Sequence, residues 1–325
     1  MSNPPIFIVG SPRSGTALLR DLLRSHPRIT FPGESHFIPL FYKAYGDPGS
    51  EQQAVDLARR LLALRWVRRW KLDLEPDSFR DCRSFRAVIT RLYEAWTAKE
   101  GKARWGDKTP QHAFHIIDIL SVYPDAKFIH LIRDGRDVAE SLRRVYIGPK
   151  SIYGAAKRWQ KYVDAIDSVR GKLGSERLLD VRFEDLVAEP EQQVARVLSY
   201  LGEEYVPLDN REFHSSAKTR YLGLASYHAS LAKPISKSKI GVFRAVFGER
   251  QIRIFESVAG EQLSKHGYPL DTDAGAKISL GEWIKFAAQD YLVRYIRKFF
   301  SFGGLQQLGR DLKQSKQSIL RKLRW

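Results

Sequence analysis

Apolar residues run unbroken at Ile6, Phe7, Ile8 and Val9, then give way to a loop of glycine, serine and proline. Leucines follow at helical spacing: Leu18, Leu19, Leu22 and Leu23. A short apolar run bounded by turn residues reads as a buried strand, and the leucines read as one face of a helix. Ser25-His26-Pro27 closes that helix, because Pro27 disfavours helix in the residue before it. A short extended piece then leads to Gly33-Glu34-Ser35-His36. Residues 51–71 read as one basic helix, with Leu57, Leu61, Leu62 and Leu64 against Arg59, Arg60, Arg65, Arg68 and Arg69. Further helices are expected over 84–98, 151–172 and 190–202, and further strands over Lys127–Ile132 and Leu178–Phe183. Trp105–Pro110 reads as a turn feeding a helix, with Pro110 at its first position. Strands separated by helices of this length predict an α/β fold in three layers over residues 1–270, with a central parallel sheet and right-handed crossovers. In such sheets ligands sit at the carboxyl ends of the strands. The loops after Val9, Ile132 and Phe183 lie there and hold the notable polar residues.

From residue 271 the pattern changes to a basic helical C-terminal extension. Leu280, Trp283, Ile284, Ala287, Tyr291, Tyr295 and Phe299 recur at threes and fours, one face of a helix. Gly303-Gly304 breaks it, and Arg310, Lys313, Lys316, Arg321, Lys322 and Arg324 then stand against a single acid, Asp311. Two readings stay open: a peripheral helix packed on the core with a solvated basic tail, or a segment that contacts a membrane surface or an acidic partner.

Composition narrows the class. A chain of 325 residues can bury a full core. A lone cysteine, Cys82, excludes an intramolecular disulfide and a multi-cysteine zinc site, and fits a reducing compartment. No stretch approaches the roughly 20 apolar residues of a membrane span, and the first apolar run has the length of a strand, not of a leader. The expected location is therefore cytoplasmic, with peripheral membrane contact through the basic C-terminal segment. A formal charge of +17 predicts attraction to anions. Nucleic acid is not the expected partner, since the clustered arginine and aromatic motifs of known nucleic-acid modules are missing. On charge alone, a non-catalytic binder of acidic polymers remains an alternative.

Strand, glycine-rich loop and helix is a layout that cradles phosphate: consecutive N–H groups form a nest, and the helix N-terminus adds partial positive charge. Gly10 and Gly15 fit G-x-x-x-x-G-K-[ST], yet Thr16 stands where the lysine belongs, and the basic group has moved to Arg13. Such a site suits an anionic nucleotide but not ordinary ATP chemistry. The alternative is a P-loop kinase with Asp134 as a metal-holding acid.

Two segments together resemble the sulfotransferase superfamily. Pro12-Arg13-Ser14-Gly15-Thr16 is similar to its 5′-phosphosulfate loop, and Phe128–Val138 with Ser141 is similar to its 3′-phosphate segment. The pairing makes chemical sense. The co-substrate, 3′-phosphoadenosine-5′-phosphosulfate (PAPS), carries phosphate at both ends of one ribose and so needs two anion sites. The resemblance, strongest to the branch of tyrosylprotein sulfotransferases and bacterial relatives, implies sulfuryl transfer to a hydroxyl or amine of an acceptor such as an acidic glycan, lipid-linked saccharide, peptide or small molecule. It implies Arg13, Ser14, Gly15, Thr16, Ala17, Arg133 and Ser141 as nucleotide contacts, Phe183 as a ring beside the adenine, and Lys237 and Lys239 in a late basic segment, with Phe243 in its aromatic place. Glu34 would be the catalytic base, with His36 as the competing choice and His26 as a structural helix terminator. Lys108 would stabilise charge on the leaving phosphate. A late-loop serine, Ser226 or Ser230, is expected near the site. No metal is expected, because sulfuryl transfer carries less charge than phosphoryl transfer and arginine and lysine suffice.

Overall fold

The computed structural model describes residues 3–145, 148–207, 234–273 and 275–300, with 292–300 described by backbone alone. Ser226, Ser230 and the basic stretch from 310 therefore lie outside the described residues.

Among the described residues, five strands form one parallel sheet: β1 (Ile6–Val9), β2 (Ile29–Thr30), β3 (Arg104–Lys108), β4 (Lys127–Ile132) and β5 (Leu178–Arg182). Their order is β2-β3-β1-β4-β5, so β1 is central. Ile6 pairs with Gly106 on one side and with Lys127 on the other. Alternation along β1 builds the layers. Phe7 and Val9 join the cluster holding Phe37, Phe85, Trp105 and Phe128, while Ile6 and Ile8 join Leu19, Leu22, Ile129, Leu131 and Val181 on the opposite face. Helix α1 (Thr16–Arg24) follows β1 directly.

Helix α2 (Glu51–Ala63) is capped by Ser50, whose hydroxyl accepts from the Gln53 N–H. The expected single helix over 51–71 does not form: Leu64 turns to extended φ/ψ (−62°, 132°), and a separate helical turn runs from Arg65 to Arg68. Helix α3 (Phe85–Lys99) follows.

The largest departure lies at 104–108. This stretch, expected to be a turn, is β3, buried throughout. Its charged residues hid the strand. Arg104 donates to the carbonyls of Pro4 and Leu201, and Asp107 accepts from three hydroxyls, so both are buried with partners. Gly106 leaves the space that the Phe31 ring fills. Pro110 does begin a helical turn, a 3₁₀ one over Pro110–Phe114.

Helices α4 (Ile116–Val122), α5 (Gly135–Arg143) and α6 (Ile152–Arg177) surround β4 in sequence, with Gly174 breaking the regular helix near the end of α6. Phe183 is not strand but the first residue of α7 (Phe183–Ala188), followed by α8 (Pro190–Leu201), which Gly202 ends in left-handed conformation. Helix α9 (Glu249–Lys265) packs on α5 and α6 through Ile254, Phe255 and Ala259, in a third cluster with Val138 and Trp159.

Beyond 270, the backbone of Asp271 and Thr272 donates to the Glu256 carboxylate, and helix α10 (Leu280–Phe300) lies against the domain. Phe286 is buried on its packed side. The apolar stripe does not supply that side: Leu280, Trp283, Ile284 and Tyr291 are exposed.

Candidate active site

Three loops leave adjacent strands at the same end of the sheet. The first follows β1. Gly10 has φ 148°, and a Cβ there would lie 2.4 Å from the Leu131 carbonyl oxygen; Gly15 has φ 100°, and a Cβ there would lie 2.5 Å from the Phe183 ring. Both positions require glycine. Arg13 also sits at positive φ, 76°. The backbone thus curls around a concave turn, and no side chain caps α1. Thr16 and Ala17 form the first turn of α1, and the Ser14 hydroxyl is buried without a hydrogen-bond partner among the described residues.

The second loop follows β4. Arg133 is 6% exposed. Its guanidinium donates to the Arg13 carbonyl at 3.3 Å and to the Lys239 carbonyl at 2.5 Å, lies 3.7 Å from Asp137, and stacks on Phe183 at 4.5 Å. Burial lowers its pKa, against the pull of Asp137. Its Nε has no partner among the described residues. Arg13 Nε donates to Ser141 Oγ at 3.1 Å. The two loops, far apart in sequence, thereby become one basic surface with a buried hydroxyl and a buried N–H still to satisfy.

A fixed scaffold holds this loop. Asp134 caps α5 by accepting from the Arg136 N–H, and its other oxygen binds the Arg136 guanidinium at 2.8 Å. Arg136 is fully buried, reaches Glu256 at 2.5 Å and lies over the Phe243 ring. Trp159 Nε1 donates to the Arg133 carbonyl, and Glu184 accepts from the Asp134 N–H and the Tyr268 hydroxyl. Asp134, the metal-holding acid of the kinase alternative, is thus committed to a helix cap and an ion pair.

The third loop follows β3. Lys108 Nζ meets Glu34 Oε1 at 2.5 Å, joining two residues that sequence reading singled out separately. Lys108 is buried, which lowers its pKa against the opposing attraction of Glu34. The Glu34 side chain is 40% exposed. His36 Nε2 stands 3.9 Å from its second oxygen, at φ 58°. Glu34 caps no helix: the turn beginning at Ile38 has no side-chain cap.

Sequence reading missed the residue that organises this corner. Asp107 is buried and accepts from Tyr93 at 2.5 Å, from Thr109 at 2.7 Å and from Ser35, while Thr109 in turn accepts from the Ser35 N–H. The segment carrying Glu34 is therefore clamped to the strand end carrying Lys108. The only advance signal was Asp107 beside Lys108, and two of its three donors, Tyr93 and Ser35, come from distant positions.

The remaining expectations fall in different places. Lys237 and Lys239 are exposed, but their segment reaches the site through backbone: Lys239 O accepts from Arg133, and the N–H groups of Gly241 and Phe243 donate to Asp137. Phe243 is fully buried between the guanidinium groups of Arg136 and Arg244. Phe183 is 7% exposed, with Arg133 on its face and Gly15 at its edge, so its ring supports the two loops and offers little surface to an adenine. His26 lies away from this corner and bridges the Arg28 N–H and the Glu204 carbonyl.

Comparison with known proteins adds an independent line. Residues 4–207 match the sulfotransferase family. The chain is 30% identical over 210 residues to protein-tyrosine sulfotransferase 2 of Gallus gallus, covering 61% of this chain and 51% of that one. It is 28% identical over 247 residues to the omega-hydroxy-beta-dihydromenaquinone-9 sulfotransferase Stf3 of Mycobacterium bovis, covering 62% and 63%. Among solved structures, the sulfotransferase domain from the curacin biosynthetic pathway superposes with a TM-score of 0.58 at 20% identity, over 83% of this chain and all of that one, which supports the fold. The chain spans between 40% and 66% of the length of the first curated relatives it matches.

Proposed function

Because the chain belongs to the sulfotransferase family, we propose that it transfers a sulfuryl group from PAPS to the hydroxyl, or amine, of an acceptor. The observation that carries this reading is the union of two basic loops through the Arg13–Ser141 and Arg133–Arg13 hydrogen bonds, which suits a ligand with two separated anionic groups. The residues present fit the co-substrate. Ser14 Oγ and Arg133 Nε are buried donors without partners among the described residues, and the nest at Gly10–Gly15 offers N–H groups. When bound, PAPS supplies the activated sulfuryl group.

In this reading Ser14, Thr16 and Ala17 hold the 5′ side with the first turn of α1. Arg133 and Ser141 hold the 3′-phosphate, where arginine's planar fork matches phosphate oxygens. Glu34 accepts the proton of the attacking group. Lys108 stabilises negative charge on the leaving oxygen, an attraction strengthened by its burial. Curated relatives are named for acting on tyrosine in proteins and on an omega-hydroxy menaquinone. A hydroxyl-bearing acceptor follows for this chain, and its charge of +17 favours an acidic one.

Calorimetry with adenosine 3′,5′-bisphosphate and with ATP, each with and without EDTA, tests the reading. The bisphosphate is expected to bind at least about tenfold more tightly, roughly 1.4 kcal/mol, with no effect of EDTA. Tight ATP binding that needs Mg²⁺ would overturn it in favour of a kinase.

A further inference from the structure

Helix α10 meets the domain along one narrow line. Phe286 is buried, Glu282 pairs with Arg250 at 2.7 Å, and Asp290 accepts from the N–H groups of Lys150 and Ser151 and from the Ser151 hydroxyl. These contacts fix the rotation of the helix and turn Leu280, Trp283, Ile284 and Tyr291 outward, at 75%, 54%, 56% and 70% exposure. Their spacing places all four on a single face. Scattered exposed apolar residues are ordinary, but a continuous stripe marks a contact.

We propose that this face docks on an anionic lipid bilayer, with α10 lying in the interface plane. Tryptophan and tyrosine carry an apolar body and a polar tip, which suits the headgroup boundary. No helix among the described residues is long and apolar enough to cross a membrane, so the helix lies on the bilayer and does not span it. Charge selects the partner. The acids of segment 280–300 are Glu282 and Asp290, and both are engaged with the domain; its cations are Lys285, Arg294, Arg297 and Lys298. Lys285 and Arg143 also line a cleft of about 290 Å³ along the helix flank. Beyond 300 the sequence adds six basic residues from Arg310 to Arg324 against Asp311. A second copy of a chain with charge +17 would bring like charges together, whereas an anionic membrane complements them.

Co-sedimentation of the full chain with vesicles of phosphatidylcholine, with and without phosphatidylglycerol, tests this. Anionic vesicles are expected to bind at least about tenfold more protein than neutral ones, and the binding should weaken as salt rises. A Trp283→Glu, Ile284→Glu double variant should lose the binding while keeping the wild-type melting temperature, because both side chains are exposed. If that variant misfolds, the lipid and salt dependence of the wild type decides. Absence of wild-type binding, or a folded double variant that binds like wild type, would overturn the proposal. So would a dimer in light scattering that the variant dissolves, since a second copy would then cover the face. The assay uses no nucleotide, so its outcome is independent of the sulfuryl-transfer reading.

Discussion

Glu34 and Lys108 neutralise each other across 2.5 Å, yet each is assigned a separate task. The pair makes sense as a resting arrangement, with the lysine buried and the carboxylate half-exposed. Neither task belongs to ground-state nucleotide binding, so the losses should appear in turnover. Glu34→Gln and Lys108→Ala are each expected to lower kcat by about 10²- to 10⁴-fold, the usual worth of a positioned acid–base or charge-stabilising group. Affinity for adenosine 3′,5′-bisphosphate should stay within about threefold for Glu34→Gln, roughly 0.7 kcal/mol. Steady-state kinetics and calorimetry check both. Near-normal turnover in Glu34→Gln, with activity abolished in His36→Ala, would move the base to the histidine.

At the scale of elements, the start of α5 joins the loops after β1 and β4 to the late basic segment. Asp137 lies in its first turn and accepts from the Gly241 and Phe243 N–H groups at 2.8 and 3.0 Å. Burial raises its pKa, opposed by Arg133 and by those two donors. Asp137→Ala strands both N–H groups, at a cost of about 1–3 kcal/mol each where they stay buried. The melting temperature should fall, and the affinity for adenosine 3′,5′-bisphosphate should fall at least about tenfold, while adenosine 5′-phosphosulfate changes little. Equal losses for both ligands in calorimetry would show that Asp137 serves only the fold. The same region shows what sequence could convey. The placement of Arg13, Ser14 and Arg133 at loop–helix junctions, and of Ser141 in the helix that follows, was legible because each motif is local: an apolar run, a glycine-rich turn and a helix start lie within a few residues. β3 was not, because the partners that let Arg104 and Asp107 be buried come from Pro4, Leu201, Tyr93 and Ser35. The orientation of α10 was hidden for a similar reason. Its stripe left a packed face and a contacting face equally open to the sequence, and the polar anchors Glu282 and Asp290 set the rotation.

For the whole molecule, acid should destabilise the fold in two separate ranges. Burial lowers the pKa of His112, whose ring nitrogens have no hydrogen-bond partner among the described residues, and of His130, despite its bond to Asp180. Folded pKa values below the unfolded one, about 6.5 for histidine, mean that the unfolded chain binds these protons first, so stability falls as pH drops from neutrality. At Asp167 and Asp180 burial pushes the carboxyls up, but hydrogen bonds from His266, Lys265, His130 and Arg170 outweigh it and hold both well below the usual range. Their contribution is complete above the unfolded value, about pH 4, and is lost progressively below it. Thermal melts from pH 7 to 5 should therefore fall, and His112→Leu should flatten that limb. A slope unchanged by the substitution, or a melting temperature that rises toward pH 5, would contradict this account. The strand order carries a consequence for biosynthesis. β1 is made well before its neighbours in space, which begin at Arg104 and Lys127. Pairing over such separations is slow, and an unpaired apolar strand is a template for other chains. A nascent chain that has not reached Lys127 holds the entire Gly10–Gly15 loop on a strand with one edge open, so the segment richest in recognisable chemistry is also the one exposed longest to misassembly.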